Sequence, residues 1–296
     1  MTGSIVDSHQ HFWQVGRFDY PWMSPELGVL YRDFLPSQLE PILQQCGVAK
    51  TILVQASNSL AETHWLLSLA DSSPFIAGVV GWVDLTDAGM AQELEVLTAN
   101  PKFKGVRHLV ESEPAEDWLV QPSVLRGLRA LASYGMSYDL LVHTRHLKHA
   151  RTVAESCPEL HLVIDHLAKP PIRSGEVKEW AQEIKAVAVY PNVYCKLSGL
   201  VTEANLTSWR PEDLRPFVER ALEYFGTSRM MFGSDWPVCL LAASYDQVLE
   251  SFHLLLAGLS KTERNAVLGE NATEFYRLHS AAATVEPDAG RYRSRF

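Results

Sequence analysis

An α/β architecture, a (β/α)8 TIM barrel closed on eight parallel strands, is the fold class this sequence predicts. Three observations predict it. Eight apolar, β-branched runs recur along the 296 residues, at 4–12, 51–57, 75–85, 103–110, 137–143, 160–169, 193–200 and 230–238. Their starts lie 23 to 47 residues apart, which leaves room for one helix between each pair. The runs are almost continuously apolar rather than alternating, the pattern of parallel strands covered on both faces. No Pro/Gly/Ser-rich linker divides the chain, so residues 1–279 read as one barrel and 280–296 as a polar C-terminal tail. An open doubly wound sheet is the rival. Its phosphate-binding G-x-G-x-x-G is missing after the first run, where the sequence reads His9-Gln10-His11.

The segments between the runs carry helix signals. Residues 36–46 place Leu39, Ile42, Leu43 and Cys46 on one face and stop at Gly47. Residues 122–134 repeat Val124, Leu125, Leu128 and Leu131 at helical spacing and stop at Gly135. Residues 211–225 open on Pro211 with acids behind it, bury Leu214, Phe217, Val218, Leu222 and Phe225, and stop at Gly226. Ser260-Lys261-Thr262-Glu263 is a capping box that opens a last helix. One connection is too long for a plain βα loop: residues 13–34, with Trp13, Tyr20, Trp22 and Tyr31. On a barrel it would lie over the C-terminal mouth, and it reads as a lid that supplies aromatic walls.

Composition narrows the function. With 26 Lys+Arg against 35 Asp+Glu, the net charge is −9, which argues against nucleic acid as a partner. Hydrophobic residues at 47% exclude a disordered chain. Cys46, Cys157, Cys195 and Cys239 stand singly in apolar stretches and read as reduced thiols rather than a disulfide framework. No signal-peptide pattern opens the chain, and no apolar run approaches the ~20 residues of a membrane span. The expectation is a cytoplasmic protein with no membrane partner; a homo-oligomer is left open.

Ionisable residues interrupt the apolar runs near their C-terminal ends: His9 and His11, Arg107 and His108, His143, Asp165 and His166 with Lys169 beyond, Lys196 and Ser198, and Asp235. Burying such groups is expensive unless they pair or coordinate something, and a barrel gathers its strand ends into one ring. Two residues apart on a strand point the same way, so His9 and His11 can share a divalent ion, Zn2+ being the usual candidate; the plain alternative is two core histidines bonded to carbonyls. Asp235, followed by Trp236-Pro237, can take a proton from water, bind metal, or cap a helix. His166 is a ligand or acid, with Asp165 on the opposite face behind it. Arg107 and His108 lie on opposite faces, so one of them faces the mouth. Lys169 and Lys196 can polarise an oxygen as fixed cations. His143 is given a minor role, because Arg145, His146, Lys148 and His149 follow it. No G-x-S-x-G elbow and no P-loop is found.

Together, Val6-Asp7-Ser8-His9-Gln10-His11-Phe12-Trp13, Gly105-Val106-Arg107-His108, Ile164-Asp165-His166-Leu167-Ala168-Lys169-Pro170-Pro171, Tyr194-Cys195-Lys196-Leu197-Ser198-Gly199 and Phe232-Gly233-Ser234-Asp235-Trp236-Pro237 resemble the amidohydrolase superfamily. More narrowly they are similar to its sugar-lactonase branch, the L-fuconolactonase and L-rhamnonolactonase type, related to the 2-pyrone-4,6-dicarboxylate lactonases. The resemblance implies a distorted barrel of the metal-dependent-hydrolase type that opens a lactone ring. Asp235 would activate water, His166 would complete the catalytic set, and His9, His11 and Asp235 would hold a metal if one is bound. The bridging Lys or Glu of two-metal members is replaced by Arg107-His108, so the resemblance implies at most one divalent cation, Zn2+ or none, and no organic cofactor. Arg107, His108, Lys169, Lys196, Trp13 and Trp22 would bind the substrate, a small sugar lactone. Two other readings stay open: a metal-dependent non-oxidative decarboxylase, and a non-catalytic barrel that binds a sugar acid.

Overall fold

The computed structural model describes residues 4–278, so the expected tail at 280–296 lies outside the described residues. Eight strands follow in chain order, β1 (Ile5–Gln10), β2 (Val48–Val54), β3 (Ile76–Gly81), β4 (Phe103–His108), β5 (Ser137–Leu140), β6 (His161–Ile164), β7 (Val193–Leu197) and β8 (Met230–Phe232). Every neighbouring pair is parallel and the order is β1 to β8 without a crossover. The barrel of parallel strands expected from the periodic runs is therefore the observed architecture, and the open-sheet rival is set aside.

Helices link the strands: α1 (Pro36–Cys46), α2 (Leu60–Ser72), α3 (Met90–Thr98), α4 (Pro122–Ser133), α5 (Leu147–Ser156) and α6 (Lys178–Ala188). A short α7 (Leu200–Glu203) precedes α8 (Pro211–Phe225), and α9 (Tyr245–Leu255), α10 (Lys261–Asn265) and α11 (Asn271–Phe275) follow β8. The stop signals act as read. Gly47 closes α1 in the left-handed conformation, at φ 69°, which glycine adopts without a Cβ penalty. The capping box is present on both sides: Glu263 N–H donates to Ser260 Oγ, and Ser260 N–H donates to Glu263 Oε2 at 2.8 Å. No helix among the described residues is long and apolar enough to cross a membrane.

Inside the barrel, Val6, Ile52, Val54, Val80, Val163 and Met231 pack with Phe275 and Tyr276 from the end of α11. This apolar floor leaves the opposite end of the strands for polar groups. The seam between β8 and β1 is closed beyond the short last strand. Asp235 N–H donates to His9 O at 2.8 Å and His11 N–H donates to Trp236 O at 2.7 Å. Below them the buried Asp7 carboxylate accepts from Ser234 N–H (2.9 Å), Ser234 Oγ (2.6 Å), Tyr245 OH (3.0 Å) and His9 N–H (3.1 Å). One carboxylate thus fixes the segment that carries Asp235 against the segment that carries His9.

The long β1–α1 connection is tied at both ends. Trp13 and Phe34 exchange backbone hydrogen bonds of 3.1 and 2.9 Å, and the Trp13 indole donates to Arg32 O. Trp22 donates to Ala56 O at 2.8 Å, and Ser57 Oγ donates to Asp19 O at 2.6 Å. The connection therefore rests on the β2–α2 turn, and that turn is held from beneath by the Glu62 carboxylate, which accepts from Ala56 and Ser57 N–H.

Replacing Asp7 by Ala strands four buried donors and should lower the unfolding free energy in urea by about 3 kcal/mol. Burial pushes the Glu62 carboxyl up to about 7, against the pull of the Ser57 and Ala56 amides. Folding then takes up a proton between the unfolded and folded pKa values, so the stability contributed by Glu62 is lost as pH rises through 7. From about pH 5 to about pH 8 the wild type should lose up to about 3 kcal/mol relative to Glu62→Gln in denaturation curves; parallel curves for the two proteins would contradict this.

Candidate active site

His9 and His11 leave the end of β1 side by side. Two positions apart, they share one side of the chain, and their Nε2 atoms lie 3.1 Å apart. Asp235 follows β8 with φ 58° and brings Oδ1 to 3.4 Å from His11 Nε2 and 3.8 Å from His9 Nε2. His166 reaches the same place from a left-handed stretch. His166, Leu167, Ala168 and Lys169 all have φ between 52° and 58°, a conformation that costs L-residues about 1–2 kcal/mol each. The stretch is anchored by the Trp180 indole, which donates to Leu167 O at 2.7 Å. It places the His166 ring 4.6 Å from the His9 ring, with Nδ1 2.9 Å from Ser198 Oγ. Gly199 makes room for it. A Cβ there would sit 2.5 Å from His166 Nδ1 and 3.1 Å from Asp235 Oδ2.

Hydrogen-bond chemistry fixes one ring and leaves another two-sided. His11 Nδ1 is 2.7 Å from Val54 O, so the proton sits on Nδ1 and the Nε2 lone pair faces the Asp235 carboxylate. Two acceptors facing each other call for something positive between them. His9 Nδ1 meets a donor and an acceptor at once, Lys196 Nζ at 3.0 Å and Asp165 Oδ1 at 3.3 Å. With its proton on Nδ1, His9 also turns a lone pair to His11 and Asp235. Donors about 3.3 Å apart are what a tetrahedral zinc ion requires. His9, His11 and Asp235 therefore fit one divalent cation, and Arg107 Nη1, 3.3 Å from His9 Nε2, is the competing positive charge.

Burial lowers the pKa of His9, His11 and His166, so the imidazoles are neutral at pH 7. Burial pushes the Asp235 carboxyl up, but the neighbouring His166, His11 and His9, which become cations in acid, outweigh it and hold it well below the usual carboxylate range. Behind this group the charges are matched. Arg107 Nη1 donates to Asp165 Oδ2 at 3.2 Å and Nε donates to Gln55 Oε1 at 3.2 Å. Lys196 Nζ is 3.0 Å from Asp165 Oδ1 and 2.5 Å from Asp139 Oδ2.

A cavity of about 220 Å³ opens above these residues. Its floor is His11, Arg107, His166 and Asp235; Trp13, Trp22, Leu27 and Leu30 of the long connection form one wall; Glu111, Lys169, Thr202 and Glu203 form another. Lys169 pairs with Glu111, and Glu111 Oε2 is 3.5 Å from His143 Nε2. His143 itself lines a separate, larger outer groove with Arg145 and Lys178.

The structure thus gathers His9, His11, His166, Asp235, Arg107, Lys169, Trp13 and Trp22 at one mouth. Two residues expected to bind substrate are placed elsewhere. His108 turns outward from β4: Trp82 donates to its Nδ1 at 3.0 Å, its Nε2 bonds Glu113 at 2.6 Å, and its ring stacks on Trp118. Lys196 is fully buried beneath His9 with no face on the cavity. Asp165, expected on the face away from His166, lies inside the barrel and joins Arg107, Lys196 and His9. Glu111, Glu203, Asp139 and Tyr276 were not anticipated. The apolar flanks of Asp139 in Tyr138-Asp139-Leu140-Leu141 are the one sequence signal that could have drawn attention to it.

Inward imidazoles after the first strand and a carboxylate after the eighth, on a (β/α)8 barrel, describe a class of barrel hydrolases. The amidohydrolase family model matches residues 6–278, and the chain belongs to that family. An L-fucono-1,5-lactonase of Burkholderia ambifaria is 38% identical over 285 residues, covering 92% of this chain and 95% of that one. An L-rhamnono-gamma-lactonase of Scheffersomyces stipitis is 25% identical over 59% of each chain. A Burkholderia multivorans amidohydrolase, solved with zinc bound, superposes with a TM-score of 0.87 at 38% identity, covering 93% of this chain and all of that one.

Gly199→Ala tests the packing of the site. Its φ of 64° and the clash with His166 should displace the ring, with turnover falling about 100-fold while the protein stays folded by circular dichroism.

Proposed function

We propose that this protein is a lactonase that opens the ring of a neutral sugar lactone by hydrolysis, with Asp235 as general base. The observation that carries the proposal is the charge state of the cavity. Arg107 and Lys169 face Glu111, Glu203 and Asp235, and each cation is already paired: Arg107 with Asp165, Lys169 with Glu111. Neither is spare for a substrate carboxylate. A decarboxylase acting on an aromatic acid needs such a cation, whereas an uncharged, polyhydroxylated lactone needs donors and acceptors in matched numbers and an apolar face. Trp22 supplies that face, backed by the buried Trp13; the 38% identical relative is itself an L-fucono-1,5-lactonase.

In the proposed reaction a water molecule lies against Asp235 and attacks the lactone carbonyl carbon. Asp235 takes one water proton as the new C–O bond forms. Arg107 keeps its pairing with Asp165, and the Nη1 proton that faces His9 Nε2 turns to the developing oxyanion, in a site walled off from bulk water. The intermediate collapses with cleavage of the ring C–O bond, and the proton on Asp235 passes to the leaving alkoxide. The product acid then releases one proton to solution. His166, held by Ser198, orients Asp235 and the water. A divalent cation held by His9, His11 and Asp235 would supply Lewis-acid polarisation at the same point. Lys169, Glu111 and Glu203 read the sugar hydroxyls. Free cysteines and the absence of a membrane-spanning helix among the described residues agree with a cytoplasmic place of action.

A pH-stat assay over five- and six-membered aldonolactones, with and without chelator, tests the reaction. Wild type should release one proton per ring opened. Asp235→Asn should lose about 10³-fold in turnover or more with an unchanged fold. Near-wild-type turnover in that variant removes Asp235 from the mechanism; no acid release from any lactone removes the activity.

A further inference from the structure

We infer that Tyr276, at the floor of the barrel, is a positioning residue for His9 and acts on it through Asp139 and Lys196. The four residues come from three strands and the end of the last helix, and all are buried. The Tyr276 hydroxyl donates to Asp139 Oδ2 at 2.8 Å, and Lys196 Nζ donates to the same oxygen at 2.5 Å. Lys196 then has two further partners, Asp165 Oδ1 and His9 Nδ1, each at 3.0 Å. The ammonium is shared: it can donate to His9 Nδ1 in one tautomer, whereas in the other the His9 Nδ1 proton turns to Asp165 Oδ1. The ammonium's place between the floor and the site is set by how strongly each end pulls.

The pull from the floor is where Tyr276 enters. Asp139 Oδ1 has no hydrogen-bond partner, so Oδ2 carries the whole load of a buried carboxylate. With the phenol present, Oδ2 shares its charge between a hydroxyl and the ammonium. Without it, Lys196 is the sole partner, and the ammonium is drawn toward Asp139 and away from His9 Nδ1. The Tyr276 ring, whose centroid lies 5.6 Å from Nζ, also fills the space beneath the lysine. Burial keeps the phenol protonated and hence a donor. His9 Nδ1 faces both Lys196 and Asp165, so the balance at Nζ decides which of them holds the ring, and with it the direction of Nε2 toward His11 and Asp235.

The test compares Tyr276→Phe, which removes only the hydroxyl, with Phe275→Leu, which disturbs the same apolar floor and leaves the hydrogen bonds. Steady-state lactone hydrolysis gives kcat and KM, and nitrogen-15 spectra of histidine-labelled protein report the ring nitrogens of His9. Tyr276→Phe should lower kcat about tenfold with KM held within a factor of about two, and should shift the His9 Nδ1 resonance. Phe275→Leu should lower the melting temperature and leave kcat and the His9 resonance unchanged. An unchanged His9 resonance in Tyr276→Phe overturns the inference, as does a loss of kcat that Phe275→Leu reproduces in proportion to its melting temperature. The kinetic arm rests on the lactonase reading; the spectral arm needs no substrate, so the two can fail separately.

Discussion

Asp165 is the point on which the interior balances. Its carboxylate meets Arg107 from β4, Lys196 from β7 and His9 from β1, inside a closed ring of strands that water does not reach. A dry barrel tolerates charge only when it is matched, and here two cations, Arg107 and Lys196, face two anions, Asp139 and Asp165. Breaking such a set leaves an uncompensated buried charge, at about 3–5 kcal/mol. The same set orients the His9 imidazole. Electrostatic neutrality of the interior and geometry of the site are therefore one constraint, met by the same side chains.

Around that balance the backbone is held away from its relaxed state. Four successive non-glycine residues, His166 to Lys169, adopt the left-handed conformation, and Asp235 adopts it alone. Such strain survives only where the surroundings over-determine it. The Trp180 hydrogen bond to Leu167 and the close approach of Gly199 do so here. The result is a chain that turns after β6 so that Asp165 points into the barrel while both His166 and Lys169 reach the cavity above it. No straight extension of a strand places three residues of Asp165-His166-Leu167-Ala168-Lys169 there.

The wall of the cavity divides by chemistry. The long connection after β1 contributes Trp13, Trp22, Leu27 and Leu30, and the segment after β4 and the short α7 contribute Glu111 and Glu203, with Lys169 between them. An apolar side opposite a polar, charged side suits a sugar ring, which has one face of C–H groups and an edge of oxygens. Lys169 is neutralised by Glu111 and Lys196 by two aspartates, so cations that read in the sequence as polarising a substrate oxygen are committed to the protein itself.

The sequence by itself determined the barrel, because buried parallel strands and their helices write continuous apolar runs and 3.6-residue repeats, and because Gly47 and Ser260 mark helix ends by local chemistry. It also placed His9, His11, His166 and Asp235 at strand ends, where isolated polar residues in apolar runs stand out. What it could not carry was direction. His108 and Arg107 are adjacent, and only packing against Trp82 and Trp118 decides which one turns away from the mouth. Lys196 reads as a cation for substrate until Asp139 and Asp165 are seen around it. Tyr276 and Asp139 are 137 residues apart, and their hydrogen bond exists only because the last helix closes the floor of the barrel. Periodicity is a local property and survives in one dimension; the pairing of buried charges is a property of the closed ring, and only the tertiary structure decides it.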